Sequence, residues 1–188
     1  MSDRRTDDLI ILFDTTLRDG GQTRGVDFTA ADKKFIAKAL DDFGIDYIEG
    51  GWPGANPTDD LFFSKDQELE NAKLVAFGMT RRGGRSVEND PGLNAILDSK
   101  TDATCLVGKT WDFHVTTALN VELDENLRMI SESVAAAKAR GHESMFDCEH
   151  YFDGYKANSD YALSCVQAAQ KGGASWVILC DTNGGSLP

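Results

Sequence analysis

LIILFDTTLRDGGQT, residues 9–23, joins an unbroken apolar run to a loop that is rich in charged side chains. The run, residues 9–13, has the length of a β-strand, and its lack of polar alternation predicts a strand buried on both faces. Strands of that kind belong to parallel sheets whose two faces are covered. We therefore expect Asp14, Arg18 and Asp19 to lie where a buried strand emerges into a loop.

One pattern recurs along the chain: an amphipathic helical stretch, a glycine, and a short apolar run that ends in an acidic residue. The glycine predicts the end of a helix, and the apolar run predicts the next buried strand. The clearest copies are KKFIAKALDDFGIDYIEGG (33–51), VAAAKARGHESMFDCEH (134–150) and VQAAQKGGASWVILCDT (166–182). Strands that alternate with helices predict right-handed crossovers and a parallel sheet.

The first copy contains signals for both ends of its helix. Thr29 is the predicted N-cap, with Asp32 three residues later as its partner in a capping box. Gly44 is predicted to end the helix. The helical period predicts one apolar face, formed by Phe35, Ile36, Ala39, Leu40 and Phe43.

The pattern predicts six strands, near residues 9–13, 46–49, 73–78, 103–108, 144–148 and 176–181. Two α/β architectures fit them, an open doubly wound sheet and a (β/α)8 TIM barrel. Acidic residues follow several strand ends, and parallel strands bring those ends to one face. These residues are Asp14, Glu49, Asp147, Glu149 and Asp181. A barrel builds its active site from several strand ends, and no G-x-G-x-x-G or P-loop string follows the first strand, so the sequence favours the barrel.

A complete barrel has about 250 residues, whereas this sequence has 188 with about six predicted strands. We therefore expect residues 9–188 to be the N-terminal portion of a TIM-barrel catalytic domain, and residues 1–8 to be a polar N-terminal extension. On this interpretation the gene would continue beyond Pro188 for about two more strand–helix units.

Composition limits the classes of partner. Hydrophobic residues make up 41% of the chain and charged residues 27%, as in a folded globular protein. A net charge of −12 repels phosphate backbones and anionic lipids, so we expect neither nucleic acid nor membrane as a partner. The N-terminus has no apolar signal segment, which predicts a cytoplasmic protein. The four cysteines are widely spaced, which predicts reduced, mostly buried thiols rather than a zinc site or disulfides.

Several strings resemble a known enzyme family. They are FDTTLRDGGQ (13–22), YIEGGWPGANPTDDLFF (47–63), GKTWDFHV (108–115), EHYFDGYKAN (149–158) and LCDTNGGSLP (179–188). The first resembles the motif of the metal-dependent TIM-barrel enzymes that include isopropylmalate, homocitrate and citramalate synthases and hydroxymethylglutaryl-CoA lyase. The others resemble the citramalate synthase branch more than the rest. The resemblance implies condensation of acetyl-CoA with a 2-oxo acid, pyruvate giving citramalate, a divalent metal (Mn²⁺, Mg²⁺ or Zn²⁺), and a homodimer in the full-length protein.

By this resemblance, the loop after the first strand carries the central groups. Asp19 would be a metal ligand, and Arg18 would face the substrate oxygen that becomes negative, where a fixed cation stabilises developing charge. Gln22 would give the substrate a hydrogen bond, and Glu49 would buttress the catalytic arginine. The residues alone leave open a surface ion pair between Arg18 and Asp19, and a solvated acid at position 49.

Later motifs resemble further parts of the family's site. Glu149 resembles a glutamate near substrate and metal, and Thr182 resembles the threonine that binds the carboxylate of the 2-oxo acid. His114 resembles a substrate-contacting histidine in the loop after the fourth strand, although a structural loop histidine fits equally well. His150 is either a partner of Glu149 or an ordinary loop residue, and His142 is expected to be a solvated turn residue.

The family pattern also supplies two metal ligands as His-x-His on the seventh strand, and this sequence contains no such string. One carboxylate holds a divalent ion weakly, so we expect the chain as given to bind metal poorly and to turn over little. Two alternatives to a synthase stay open. One is a lyase that cleaves a related bond with the same groups, and the other is a non-catalytic partial barrel that serves as a binding module.

Overall fold

The computed structural model describes residues 10–187 and contains one parallel sheet with helices between successive strands. The strands are β1 (Phe13–Asp14), β2 (Tyr47–Gly51), β3 (Lys73–Met79), β4 (Ala103–Lys109), β5 (Glu143–Glu149) and β6 (Trp176–Leu179). Neighbours in the sheet follow the order of the chain, β1 to β6, and every pair is parallel. This order excludes the doubly wound alternative, which reverses its strand order at a switch point, and confirms a partial (β/α) barrel. The predicted extension, residues 1–8, lies outside the described residues, as do Leu9 and Pro188.

Every crossover between strands contains at least one helix. The helices are α1 (Ala30–Phe43), α2 (Pro57–Phe63), α3 (Pro91–Leu97), α4 (Asp112–His114), α5 (Leu123–Ala139), α6 (Tyr151–Ala157) and α7 (Ser159–Gly172), and α4 continues into a π-helical turn, Val115–Leu119. The predicted ends of α1 are confirmed, because Thr29 and Asp32 form a capping box and Gly44 has a φ of 94°. Within residues 10–187, no helix combines the length and apolar character that crossing a membrane requires.

The strands alternate between two buried faces, since successive side chains point to opposite sides of a sheet. One set packs beneath the helices and includes Ile48, Leu74, Leu106 and Phe146. The other set lines the opposite side and includes Tyr47, Val75, Phe77, Ala103, Cys105 and Met145. A cavity of about 430 Å³ on this second side is lined by residues of both β1 and β6. The sheet therefore curls as in a barrel, and we call this second side its concave side.

The first strand is shorter and more exposed than the sequence predicts. It comprises Phe13–Asp14, so among the described residues 10–13 of the predicted strand only Phe13 belongs to it, and Ile10 and Leu12 are 82% and 45% exposed. In the described sheet β1 is an edge strand that pairs with β2 alone, so part of the apolar run has no neighbour to cover it. The prediction of burial on both faces was wrong for Ile10 and Leu12.

The buried face of α1 also differs from the predicted one. Phe35 and Phe43 are 77% and 80% exposed, whereas Lys33 and Asp41 are buried. Each buried charge has partners, because Lys33 pairs with Asp59 and Asp41 accepts hydrogen bonds from three backbone N–H groups that precede β3. With these polar contacts made, the two phenylalanines face outward, and Ala39 is exposed as well. The predicted apolar face was therefore wrong at Phe35, Ala39 and Phe43, whereas Ile36 and Leu40 pack against the core as predicted.

Two predictions about single residue types have different outcomes. All four cysteines are free thiols, and Cys105, Cys148 and Cys165 are buried as predicted, with Cys180 half-buried. His142, in contrast, was wrongly predicted to be solvated. It is buried, with its ring nitrogens 3.0 and 3.1 Å from the backbone carbonyl oxygens of Leu97, which ends α3, and of Thr101, which precedes β4. Its side chain therefore ties the turn between α5 and β5 to the end of α3 and the segment that follows.

Candidate active site

Arg18 lies in the loop after β1 and is held from two sides. Its Nε donates a hydrogen bond to Oε2 of Glu49 at 2.6 Å, and its guanidinium carbon lies 3.8 Å from the centre of the Phe77 ring. Its Nη1 also donates to Oδ1 of Asp19 at 3.1 Å. Cation–π stacking and a buried ion pair together fix the plane of the guanidinium. Glu49 is fully buried, which excludes the alternative of a solvated acid at that position.

The environment of Glu49 opposes its ionisation. Burial raises the pKa of Glu49 to about 7, and the positive charge of Arg18 limits the rise. One carboxyl oxygen of Glu49, Oε2, accepts the hydrogen bond from Arg18. The other, Oε1, is buried and has no hydrogen-bond partner. Glu49 therefore combines a strong anchor for Arg18 with one unsatisfied oxygen.

Cys105 and Asp147 lie beside Glu49 on the concave side of the sheet. Each of the three offers one ligand atom, an oxygen or a sulfur, and these atoms all lie within 4.8 Å of one another. Burial raises the pKa values of Cys105 and Asp147. The sequence predicted Cys105 to be a buried thiol and Asp147 to be an acid near a strand end, but it did not predict that the two side chains lie close together. The usable signal was the strand alternation, which points Cys105, Met145 and Asp147 to one side.

The predicted substrate groups face two cavities rather than one. Arg18, Asp19 and Asp147 line the concave-side cavity of about 430 Å³. Gln22 is exposed and lines a separate cavity of about 380 Å³, which Arg18 also borders. Lys33 belongs to the lining of this second cavity. Arg18 is thus the group that both cavities share, whereas Gln22 and Asp19 do not meet.

Glu149, at the end of β5, forms an ion pair with Lys109 at the end of β4. The two residues are register partners in the sheet, so their side chains leave it at the same height. The hydroxyl of Thr110 donates to the backbone oxygen of Glu149 at 2.8 Å and holds the following turn. Lys109 was missed in the sequence, although a lysine beside an acid at neighbouring strand ends was a usable signal.

His114, His150 and Thr182 form a second group close to Glu149. The backbone N–H of His150 donates to the hydroxyl oxygen of Thr182 at 2.9 Å. The rings of His114 and His150 meet edge to face with centres 4.5 Å apart. Burial, together with the proximity of His150, lowers the pKa of His114, and its buried Nδ1 has no partner. His114 ends the short helix α4 instead of lying in an irregular loop, and sequence spacing gave no sign that the two histidines meet.

Two of the acids predicted at strand ends serve their own loops. Asp14 accepts hydrogen bonds from the backbone N–H and the hydroxyl of Thr16 at 2.9 and 3.0 Å. Asp181 accepts from the backbone N–H groups of Gly185 and Ser186 at 3.2 and 2.9 Å. These contacts are those of carboxylates that close turns. Neither acid therefore needs a functional explanation.

Asp19 does not stand in a complete metal site among residues 10–187. Its side chain is 63% exposed, and one carboxylate oxygen accepts a hydrogen bond from Arg18. Within the described part of the chain, Asp19 is not a member of any group of three ligating side chains, and Glu49, Cys105 and Asp147 form the group that is found. Divalent cations of the magnesium and manganese type are normally held by several oxygen ligands. The described residues therefore do not fit such an ion at Asp19 without further ligands.

Comparison with known proteins gives consistent results. The HMGL-like family model matches residues 9–188. An (R)-citramalate synthase from Aquifex aeolicus is 55% identical over 181 residues, which cover 95% of this chain and 34% of that protein. A 2-isopropylmalate synthase from a Bradyrhizobium strain is 32% identical over 182 residues, which cover 96% of this chain and 33% of that protein. The chain thus spans about a third of the length of the curated relatives it matches.

Among solved structures, a hydroxymethylglutaryl-CoA lyase from Pseudomonas aeruginosa has the same fold. It superposes with a TM-score of 0.73 at 19% sequence identity. The match covers 94% of this chain and 59% of that chain. At this identity the likeness establishes the partial barrel and carries no information about substrate.

Proposed function

The chain belongs to the HMGL-like family, and from this premise we propose that the protein is an acyltransferase that condenses acetyl-CoA with a 2-oxo acid. Pyruvate is the proposed acceptor and citramalate the product. The identity of 55% with an (R)-citramalate synthase, against 32% with a 2-isopropylmalate synthase, supports this choice. The structural observation that carries the proposal is Arg18, a cation fixed by Glu49 and Phe77 at the border of two cavities.

The reaction needs a fixed cation at one oxygen. Acetyl-CoA loses a methyl proton, and its carbon forms a bond to the keto carbon of pyruvate. The keto oxygen becomes negative and then takes a proton to give the hydroxyl group. Water next cleaves the thioester and releases CoA and citramalate. A preorganised donor at the keto oxygen lowers the barrier because it costs no reorganisation when the charge develops.

Arg18 is suited to this task. A guanidinium has five N–H donors, and the Glu49 and Asp19 contacts use one each at Nε and Nη1. The remaining donors are available to a substrate oxygen. Because Phe77 and Glu49 hold the guanidinium before substrate arrives, little side-chain freedom is lost on binding. Glu49 is then a positioning residue that acts through Arg18.

The other candidates are assigned supporting roles in this proposal. The Thr182 hydroxyl would donate to the substrate carboxylate while it accepts the His150 N–H, and His114 would contact the substrate beside it. Glu149 would orient a ligand or a water while Lys109 neutralises it. Gln22 would contact a substrate in the second cavity.

Asp19 would supply one ligand to the divalent metal that the family resemblance implies. Such an ion would polarise the keto group. Because the described residues do not complete its coordination, no step of the reaction is assigned to it.

The experiment measures thiol release from acetyl-CoA by the full-length protein with and without pyruvate. Cleavage of a hydroxyacyl-CoA by the same preparation tests the lyase alternative. Arg18→Lys should lower kcat/KM for the condensation by about 10²–10³-fold, the loss typical of removing one oxyanion donor. Arg140→Lys is the matched control, because Arg140 forms an exposed ion pair with Asp98. Thiol release that does not require pyruvate, or equal activity of both variants, contradicts the proposal.

A further inference from the structure

The concave side of the sheet holds a cluster of three side chains with ligand atoms, of which the proposed reaction uses only Glu49, whose Oε2 anchors Arg18. Glu49 on β2, Cys105 on β4 and Asp147 on β5 place two carboxylate oxygens and one sulfur within 4.8 Å of one another. Each residue is on a strand, so its backbone is fixed by the sheet. Among residues 10–187 this is the group of three ligating side chains that the structure contains.

Glu49 gives this group a carboxylate oxygen that has no hydrogen-bond partner. Its Oε2 accepts the hydrogen bond from Arg18, but Oε1 is buried and has no partner. The side chain has no exposed surface, so bulk solvent does not reach that oxygen. A buried carboxylate oxygen without a partner is costly, and a proton or a cation beside it would remove that cost.

We propose that Glu49, Cys105 and Asp147 form a binding site for a divalent transition metal of the zinc type, with a water from the cavity as fourth ligand. The mixture of one thiolate and two carboxylates suits Zn²⁺ and its relatives, since Mg²⁺ and Ca²⁺ prefer oxygen ligands throughout. Three protein ligands and one water are also the usual number for an accessible zinc site. The site does not include Asp19 as a ligand. The proposal of this site does not depend on whether the protein catalyses the proposed condensation.

The geometry allows the ion to enter and to be held. Asp147 lines the cavity of about 430 Å³, which gives a path from solvent. Ligand atoms on a tetrahedral zinc ion lie about 3.5 Å apart, as its bond lengths of about 2.0–2.3 Å require. Side-chain movements of about 1 Å would bring ligand atoms that lie within 4.8 Å of one another to this separation. The thiol proton of Cys105 passes to the buffer as the metal binds, because a coordinating thiol is deprotonated. Arg18 keeps its hydrogen bond to Oε2 of Glu49 while the metal ion would bind Oε1, so the guanidinium and the metal ion share this carboxylate.

The test is a titration of the full-length, reduced protein with Co²⁺, which replaces Zn²⁺ and reports a thiolate ligand by a near-ultraviolet charge-transfer band. We expect the band to saturate at no more than about two equivalents, because the site that would include Asp19 also takes up Co²⁺, and to disappear when excess Zn²⁺ is added. Cys105→Ser should abolish it. Cys180→Ser is the matched control, because Cys180 lines the same cavity and is not in the cluster. Asp147→Asn should weaken Co²⁺ binding by at least about tenfold, the loss typical even of residues that only support a ligand.

Several outcomes overturn the proposal. One is the absence of a thiolate band at excess Co²⁺, and another is a band that survives Cys105→Ser and is lost in Cys180→Ser. A band lost in Asp19→Asn would assign the metal to the Asp19 region instead. Circular dichroism checks that Cys105→Ser folds; if it does not, an unchanged Co²⁺ affinity in Asp147→Asn refutes the site.

Discussion

Glu49 should make the stability of the protein depend on pH, and Glu49→Gln should remove that dependence. The carboxyl group is fully buried, and burial raises its pKa from 4.5 to about 7 against the opposing charge of Arg18. Between these values the folded protein keeps a proton that the unfolded chain has lost. The stabilising contribution of Glu49 is therefore fully present below the unfolded pKa and is lost as the pH rises through the folded pKa.

The size of the effect follows from the difference between the two pKa values. At about 1.4 kcal/mol per pH unit, a rise from 4.5 to about 7 corresponds to about 3 kcal/mol. Glutamine has nearly the same shape, carries no charge, and still accepts a hydrogen bond from Arg18 through its amide oxygen. The free energy of unfolding of the wild type minus that of Glu49→Gln should therefore fall by about 3 kcal/mol between about pH 4.5 and pH 8.

Urea unfolding followed by circular dichroism, in buffers with a chelator, measures this difference. Glu143→Gln is the control. Burial would raise the pKa of Glu143, but hydrogen bonds from Lys73 and Tyr47 outweigh it and lower the pKa. The stabilising contribution of Glu143 is thus present above its unfolded pKa and is lost only as the pH falls. The free energy of unfolding of the wild type minus that of Glu143→Gln should therefore stay nearly constant between about pH 4.5 and pH 8. A flat or rising difference for Glu49→Gln would refute the assignment of a buried, proton-holding carboxyl group.

Two further predictions concern the scaffold. Asp41→Asn should lower the free energy of unfolding by about 1–3 kcal/mol at neutral pH, because backbone N–H groups at 2.7–3.0 Å lose a charged acceptor. Burial alone would raise the pKa of Asp41, but these hydrogen bonds lower it below its ordinary 3.8. The stability lost in Asp41→Asn should therefore shrink as the pH falls below 3.8. A loss of stability that stays constant in acid contradicts this prediction. Gly154→Ala should destabilise by about 1–3 kcal/mol in thermal unfolding, since its new Cβ would lie 2.5 Å from the backbone oxygen of Thr110. Gly185→Ala is the control and should not destabilise the protein, because its new Cβ meets open space. Equal melting temperatures of Gly154→Ala and Gly185→Ala would refute the close contact at Gly154.

Features that depend on neighbours a few residues away were predictable. The capping box at Thr29 and the left-handed glycine at Gly44 are both in the structure. The helix–glycine–strand repeat correctly predicted the parallel strands, and the acids at strand ends favoured a barrel over an open sheet. These signals are short-range because capping and strand alternation each involve one segment of backbone.

The faces and partners of these elements were harder to predict. The prediction of the apolar face of α1 was wrong at Phe35, Ala39 and Phe43, because buried Asp41 and Lys33 have partners elsewhere in the chain, which the helical period does not include. The stacking of Phe77 on Arg18 was missed for the same reason. Sheet register brings such residues together, and local sequence carries no direct record of it.

The sequence by itself determined the order of strands and helices, the parallel sheet, and the positions of Arg18, Asp19 and Glu49 near strand ends. Only the tertiary structure decided the state of each acid. Asp14 closes a turn, Asp19 is largely exposed, and Glu49 is buried with an unsatisfied oxygen next to Cys105. The reason is physical: the cost of ionising a carboxyl group depends on how much water and which charges surround it. Those surroundings come from strands that are distant in the chain and adjacent in the sheet.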